Sequence, residues 1–182
     1  MSNASRNALV LYWSRTGNTA KVAAAIETGL RAGGMTTLLR QVADAGDLDF
    51  FDFDLVCLGF PSYNWHPPRA VDDYLKGKFA QYRSQDKVLP GAPRVTGKNA
   101  LIFCTFSGPH TGLREAIPAG KYAAQFFEHL GFAVVDEWYV LSEFHGSEEL
   151  STQGRMGNIK GLPDTAELRR IEERARLLVL RL

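Results

Sequence analysis

Three short, unbroken apolar runs constrain this chain more than any other feature: Ala8 to Trp13 (ALVLYW), Leu55 to Phe60 (LVCLGF) and Ala100 to Phe106 (ALIFCTF). A strand with one wet face alternates apolar and polar residues, so runs without alternation predict strands covered on both faces. Each run is followed by a polar or glycine-bearing turn and then by apolar residues at helical spacing. After the first, Val22, Ala23, Ile26 and Leu30 share a face that ends at Gly33-Gly34. After the second, a helix begins near Pro68, with Val71, Tyr74, Leu75 and Phe79 together and Asp72 and Asp73 complementing its N-terminal dipole. After the third, Pro118 to Gly131 turns Tyr122, Phe126, Phe127 and Leu130 inward. Met35 to Val42 reads as a polar edge strand and Phe132 to Leu141 as the last strand. Asp164 to Leu182 is a closing helix with Leu168, Ile171, Ala175 and Leu178 in one stripe and a Glu172–Arg176 pair on its charged side. Arg83 to Lys98 and Ser142 to Pro163 are irregular connections.

Strand and helix alternate throughout, and parallel neighbours need helical, right-handed crossovers. The expected fold is therefore α/β, a three-layer, doubly wound, five-stranded parallel sheet. It forms one domain over residues 8–182, preceded by a disordered segment, 1–7. Ligands in such sheets sit beyond the carboxyl ends of the strands, which singles out the loops after Trp13, Gly59 and Thr105.

Charge removes several function classes. Lys and Arg total 21 against 20 Asp and Glu, a net +1, so nothing draws the whole chain to nucleic acid or to an anionic membrane. No apolar run approaches the ~20 residues of a bilayer span, and a soluble, cytoplasmic protein is expected. Cys57 and Cys104 lie inside apolar runs and read as buried free thiols. No His, Cys, Asp and Glu grouping has ligand spacing, so no metal is expected.

The first loop, Ser14-Arg15-Thr16-Gly17-Asn18-Thr19, joins a buried strand directly to a helix start. Backbone N–H groups there carry partial positive charge, Ser14, Thr16 and Thr19 can each donate from a hydroxyl, and Gly17 lets the backbone curl closely. A phosphate monoester suits such a pocket; a well-capped turn is the plainer alternative. The glycine pattern of a dinucleotide fold and the lysine-bearing loop of a nucleoside triphosphate site are both absent.

This loop resembles the FMN-phosphate loop of the flavodoxin family, [ST]-x-T-G-x-T. Gly59-Phe60-Pro61-Ser62-Tyr63-Asn64 likewise resembles the G-x-P-x-Y-N stretch beside the isoalloxazine in flavodoxin-like domains, and Thr105-Phe106-Ser107-Gly108-Pro109-His110-Thr111-Gly112 stands where the third flavin loop lies. The resemblance spans the whole strand–helix array. It implies a flavodoxin-like fold, non-covalent FMN, and a site drawn from Ser14 to Thr19, Pro61 to Trp65, and Thr105, Phe106, Ser107, Gly108, His110 and Gly112. A flavin is flat and largely apolar with a polar pyrimidine edge. Tyr63, Trp65 and Phe106 are candidate walls, and Asn64 either bonds the ring or shapes its turn. The amides of Ser107, Gly108 and Gly112 are candidates for the polar edge, and His110 for a group beside it that tunes potential. The catalytic residues, if any, are unassigned.

Two features depart from the family. Electron-shuttling flavodoxins are strongly acidic, and this chain is nearly neutral. The glycine-rich piece Gly154 to Gly161 within 142–163 has no place in a minimal flavodoxin, and would cover the flavin or form a subunit contact. The leading reading is an FMN-binding redox protein serving a redox partner protein or a small-molecule electron acceptor. Two others stay open: an NAD(P)H-dependent reductase of quinones, expected to be a homo-oligomer, and a flavin-free interaction module. A phosphorelay receiver shares the topology but needs acidic residues where this chain has Trp13-Ser14-Arg15.

Overall fold

The structure is a computed structural model describing residues 6–182. Residues 1–5 of the expected disordered segment lie outside the described residues, and Asn7 already belongs to the first strand. Five strands, β1 (Asn7–Tyr12), β2 (Thr36–Gln41), β3 (Leu55–Pro61), β4 (Asn99–Phe106) and β5 (Ala133–Leu141), pair in parallel in the order β2-β1-β3-β4-β5. The crossovers are α1 (Asn18–Ala32), α2 (Arg69–Ser84) and α3 (Ile117–His129); a short α4 (Glu148–Thr152) and a long α5 (Thr165–Val179) follow β5.

The apolar runs are unbroken because their side chains feed two cores. Ala8 and Val10 of β1, Leu55 and Cys57 of β3, and Leu101 and Phe103 of β4 pack with Val22, Ile26 and Leu30 of α1 and with Ile171, Ala175 and Leu178 of α5. The alternate residues, Leu9, Leu11, Val56, Leu58, Ile102 and Cys104, pack with Val71 and Leu75 of α2 and with Ala119, Ala123 and Phe127 of α3. β2 is more exposed, as an edge strand with polar residues should be. Cys57 and Cys104 are free and buried on opposite faces of the sheet. Burial pushes both thiols up, which keeps them protonated packing groups.

The α1–α5 layer depends on a close crossing. A β-carbon on Gly29 would stand 2.1 Å from the backbone oxygen of Glu172. This crossing also corrects one expectation: Arg176 pairs with Glu173, through Nε to Oε2 at 2.8 Å and Nη2 to Oε1 at 2.7 Å, and not with Glu172. Glu172 sits where α5 presses on α1, whereas Glu173 shares the outer face with Arg176.

Residues 142–163 are more ordered than a simple connection. Ser147 caps α4 by accepting from the Leu150 amide at 3.2 Å. Ser151 Oγ donates to the Phe144 carbonyl and accepts from its amide, and Ile159 is buried. No helix among the described residues is long and apolar enough to cross a membrane.

Gly29→Ala should destabilise the protein by about 2 kcal/mol in urea titrations, because backbone rather than a flexible side chain blocks the new methyl. Gly77, mid-helix in α2, has nothing within 4 Å of the position a β-carbon would take; Gly77→Ala should instead stabilise by about 0.5–1 kcal/mol. Equal effects from the two would show that the α1–α5 crossing is looser than described.

Candidate functional site

β1 is the strand at which the sheet reverses direction: the chain leaves it through α1 to β2 on one side and returns to β3 on the other. The loops after β1 and β3 therefore diverge, and a crevice opens between them at the carboxyl end of the sheet. Gly17, in the left-handed region at φ 99°, turns the chain from β1 into α1. No side chain caps this helix, a property shared with α2 and α3 but not with α5, which Asp164 caps. The first α1 amide with an acceptor in the helix is that of Lys21, bonded to the Gly17 carbonyl at 3.0 Å. The amides of Asn18, Thr19 and Ala20 thus lack helical acceptors at the positive end of the helix dipole.

The side chains of this loop divide into two groups. Arg15 and Thr16 are exposed, and Ser14 Oγ accepts from the Gly17 amide at 3.1 Å, which leaves its own proton free to donate. Asn18 and Thr19 point inward. Thr19, 2% exposed, meets the Thr105 hydroxyl at 2.8 Å and ties α1 to the end of β4. Asn18 Nδ2 donates to the Glu143 carbonyl at 3.1 Å, and its Oδ1 faces His145 Nε2 at 3.5 Å. Their side chains brace the loop, and the backbone amides at these two positions stay open.

The second loop is a tight hairpin. Tyr63 and His66 exchange backbone hydrogen bonds at 2.9 and 3.0 Å, with Asn64 (φ 48°) and Trp65 (φ 65°) at the two central positions. A turn of this type needs positive φ at both, and its second position normally holds glycine. Asn64 thus shapes the turn, and Trp65 occupies a conformation that costs an ordinary residue about 1 kcal/mol. The indole is 61% exposed and Tyr63 40%. Trp13 supports Tyr63 edge-on, ring centroids 5.9 Å apart. Partial burial raises the Tyr63 pKa, partly offset by Arg15 nearby. Pro61 closes β3 opposite Thr105, and Ser62 Oγ donates to the Glu115 carbonyl at 2.5 Å.

In the third loop, Glu115 Oε1 accepts from the amides of His110 at 2.8 Å and Thr111 at 2.5 Å, and the Gly112 amide donates to the Gly108 carbonyl. Ser107 and Gly108 remain as the open amides of this loop among the described residues; Gly112, a candidate from the sequence, is committed. Ser107 Oγ donates to the Ser142 carbonyl at 2.8 Å. Phe106 is corrected too. It is buried in the α2–α3 core beside Ile102 and Cys104 and does not wall the crevice. His110 is exposed at the loop tip.

Residues 142–163, which the sequence left between a cover for the site and a subunit contact, lie against the third loop. The Arg155 amide donates to the Pro109 carbonyl at 2.8 Å, and Met156 Sδ lies 3.0 Å from where a Gly112 β-carbon would stand. The carboxyl-end segments are thus fastened in a closed ring: first loop to second by Trp13 and Tyr63, second to third by Ser62 and Glu115, third to 142–163 by Pro109 and Arg155, and 142–163 back to the first by Glu143 and Asn18. Glu115, His145, Arg155 and Met156 are the residues that sequence reasoning passed over; the glycine-dense stretch 154–161 was the one signal for them. Among the described residues no group of three or more His, Cys, Asp or Glu is arranged to hold a metal ion.

The sequence profile of the flavodoxin domain matches residues 9–89, which includes the first two loops. The fold matches oxidised flavodoxin 1 from Bacillus cereus at TM-score 0.66 and 14% identity, covering 97% of this chain and 99% of that one. The fold is flavodoxin-like. Streptococcus pneumonia TIGR4 flavodoxin gives TM-score 0.63 at 16% identity over 97% and 99% of the two chains. A flavodoxin, WrbA-like protein from Agrobacterium tumefaciens gives 0.63 at 14% over 97% and 96%. At these identities the likeness establishes the fold. No curated protein matches the chain in sequence.

Glu115→Ala should expose the His110 and Thr111 amides, accelerating their hydrogen exchange and lowering stability by about 1–2 kcal/mol. Unchanged exchange at both amides would show that the carboxylate does not hold this loop.

Proposed function

We propose that the protein binds FMN non-covalently in the crevice at the carboxyl end of β1 and β3 and serves as a redox protein through it. The observation that carries this reading is the pairing of two unlike surfaces across one crevice. On one side is an α1 start with three open amides and free hydroxyl protons; on the other is a hairpin that holds two aromatic side chains outward. That donor set fits a phosphate ester joined to a flat heterocycle.

The chain's own residues divide the work. The amides of Asn18, Thr19 and Ala20 and the hydroxyls of Ser14 and Thr16 hold the phosphate, and Arg15 adds charge at its rim. Gly17 keeps side-chain bulk away from the ester. Tyr63 and Trp65 lie against the ring, Tyr63 oriented by Trp13, and the amides of Ser107 and Gly108 donate at the pyrimidine edge. FMN, when bound, supplies the capacity to take up and release one or two electrons. The family match over 9–89 and the flavodoxin neighbours support the cofactor assignment.

Titration of the chain with FMN should quench flavin fluorescence to a one-to-one end point. Thr16→Ala should weaken FMN binding about tenfold, the effect of one lost charge-assisted hydrogen bond, and leave riboflavin affinity unchanged. Trp65→Ala should reduce the quenching of both. A chain that binds neither flavin overturns the proposal and favours the flavin-free interaction module.

A further inference from the structure

A second concavity lies away from the crevice, between the outward faces of α2 and α3. It encloses about 370 Å³, a volume within the range of small-molecule sites. Leu75, Phe79 and Phe126 form its floor, and Tyr122 and His129 stand at its two ends, roughly 10 Å apart along α3. The floor stays uncovered because the exposed residue beside it on α2 is Ala80, too short to reach across. Phe79 meets Phe126 with ring centroids 6.4 Å apart and meets the His129 ring edge-on at 5.9 Å. His129 is held in that pose by Nδ1, which donates to the Gln125 carbonyl at 2.8 Å. Ring faces and edges disposed in this way suit a flat aromatic guest.

The charges around this concavity are unevenly spent. Lys76 pairs with Asp72 at 2.7 Å, and the other Asp72 oxygen accepts from the Tyr122 hydroxyl at 2.5 Å, so the Tyr122 end is neutral and its polar atoms are occupied. Arg69 pairs with Asp73, and Lys121 pairs with Glu137 on the far side of α3. Glu128 stands on that same side, where with Glu137 it raises the Lys121 pKa. Asp86 belongs to the turn beyond α2. Among the lining residues Arg83 is the cation left over: it is exposed and has no ion pair among the described residues. Long helical side chains lean toward the helix N-terminus, which carries this guanidinium back over the turn that contains Phe79 and Ala80. No carboxylate among the described residues lines the concavity.

The geometry points to this concavity as a binding site for an aromatic carboxylate, its ring on Phe79 and Phe126 and its carboxylate on the Arg83 guanidinium. A planar guanidinium offers two parallel donors to the two carboxylate oxygens, and an apolar floor beside it supplies the burial. The site is independent of the flavin reading, because none of its lining residues belongs to the crevice. It touches the second loop only through Tyr122, whose ring lies 4.6 Å from that of His66.

The test is titration of the isotope-labelled chain with naphthalene-2-carboxylate and, separately, with naphthalene-2-methanol, which keeps the ring and lacks the charge, followed by amide chemical shifts. The acid should produce saturable shifts at the amides of Phe79, Arg83, Phe126 and His129. The alcohol should shift the same amides with about fivefold weaker affinity, the upper end for one exposed ion pair. Arg83→Gln should bring the acid down to the affinity of the alcohol and leave the alcohol unchanged. Ala80→Trp, which fills the concavity from an exposed position, should abolish both, and Arg114→Gln, an arginine on the third loop, should alter neither. Absence of saturable shifts, equal affinity for acid and alcohol in the parent chain, or shifts confined to the Asn18 and Thr19 amides overturns the proposal. So does displacement of the acid by FMN, which would place it in the crevice. Shifts of the α2 and α3 amides with chain concentration alone would make this face a contact between copies and overturn it as well.

Discussion

The position of β1 in the sheet is the constraint on which the rest of the molecule depends. Its neighbours β2 and β3 lie on opposite sides, and the helices that follow β1 and β3 cover opposite faces. Two loops that leave adjacent strands must then part from one another. The gap cannot be closed from the α1 side, because Gly17 brings no side chain and the first turn offers only amides. It is not closed from the other side either, because the Tyr63–His66 hairpin stands upright on its own backbone bonds. What the fold leaves open is thus lined by donors on one wall and by rings on the other.

Buried hydroxyl and amide side chains do quieter work in this arrangement. The Thr19–Thr105 pair and the Asn18–Glu143 bond connect segments 86 and 125 positions apart. Both sit directly beneath the open amides of α1. A side chain spent on bracing is unavailable to a ligand, yet it holds the backbone donors at a defined spacing, and for a small anion that spacing decides selectivity.

The fold could be read from residue order because double-sided burial leaves an unbroken apolar imprint, visible in ALVLYW, LVCLGF and ALIFCTF. The positions of the first two loops were legible as well, since a polar or proline-bearing turn follows each apolar run and leads into a helix. The misreadings have physical causes. Phe106 shares strand parity with Ile102 and Cys104, which marks it as a core residue, but its place at the head of a loop suggested an open face. Arg176 has glutamates at both three and four positions upstream, and helix packing chose between them. The bracing role of Asn18 and the contacts of Arg155 and Met156 arise between distant segments, and such contacts leave no local pattern in a single chain.

The closed ring of loop fastenings carries a consequence for how a guest is received. Segments that wander in the free state must surrender their freedom when a guest arrives, and that loss is subtracted from affinity. Here four strand-end segments are already tethered to one another before anything enters, so the entropy of assembly is settled during folding. Release and recapture of a visitor can then proceed as a change of occupancy within a standing frame, with little remodelling of the walls.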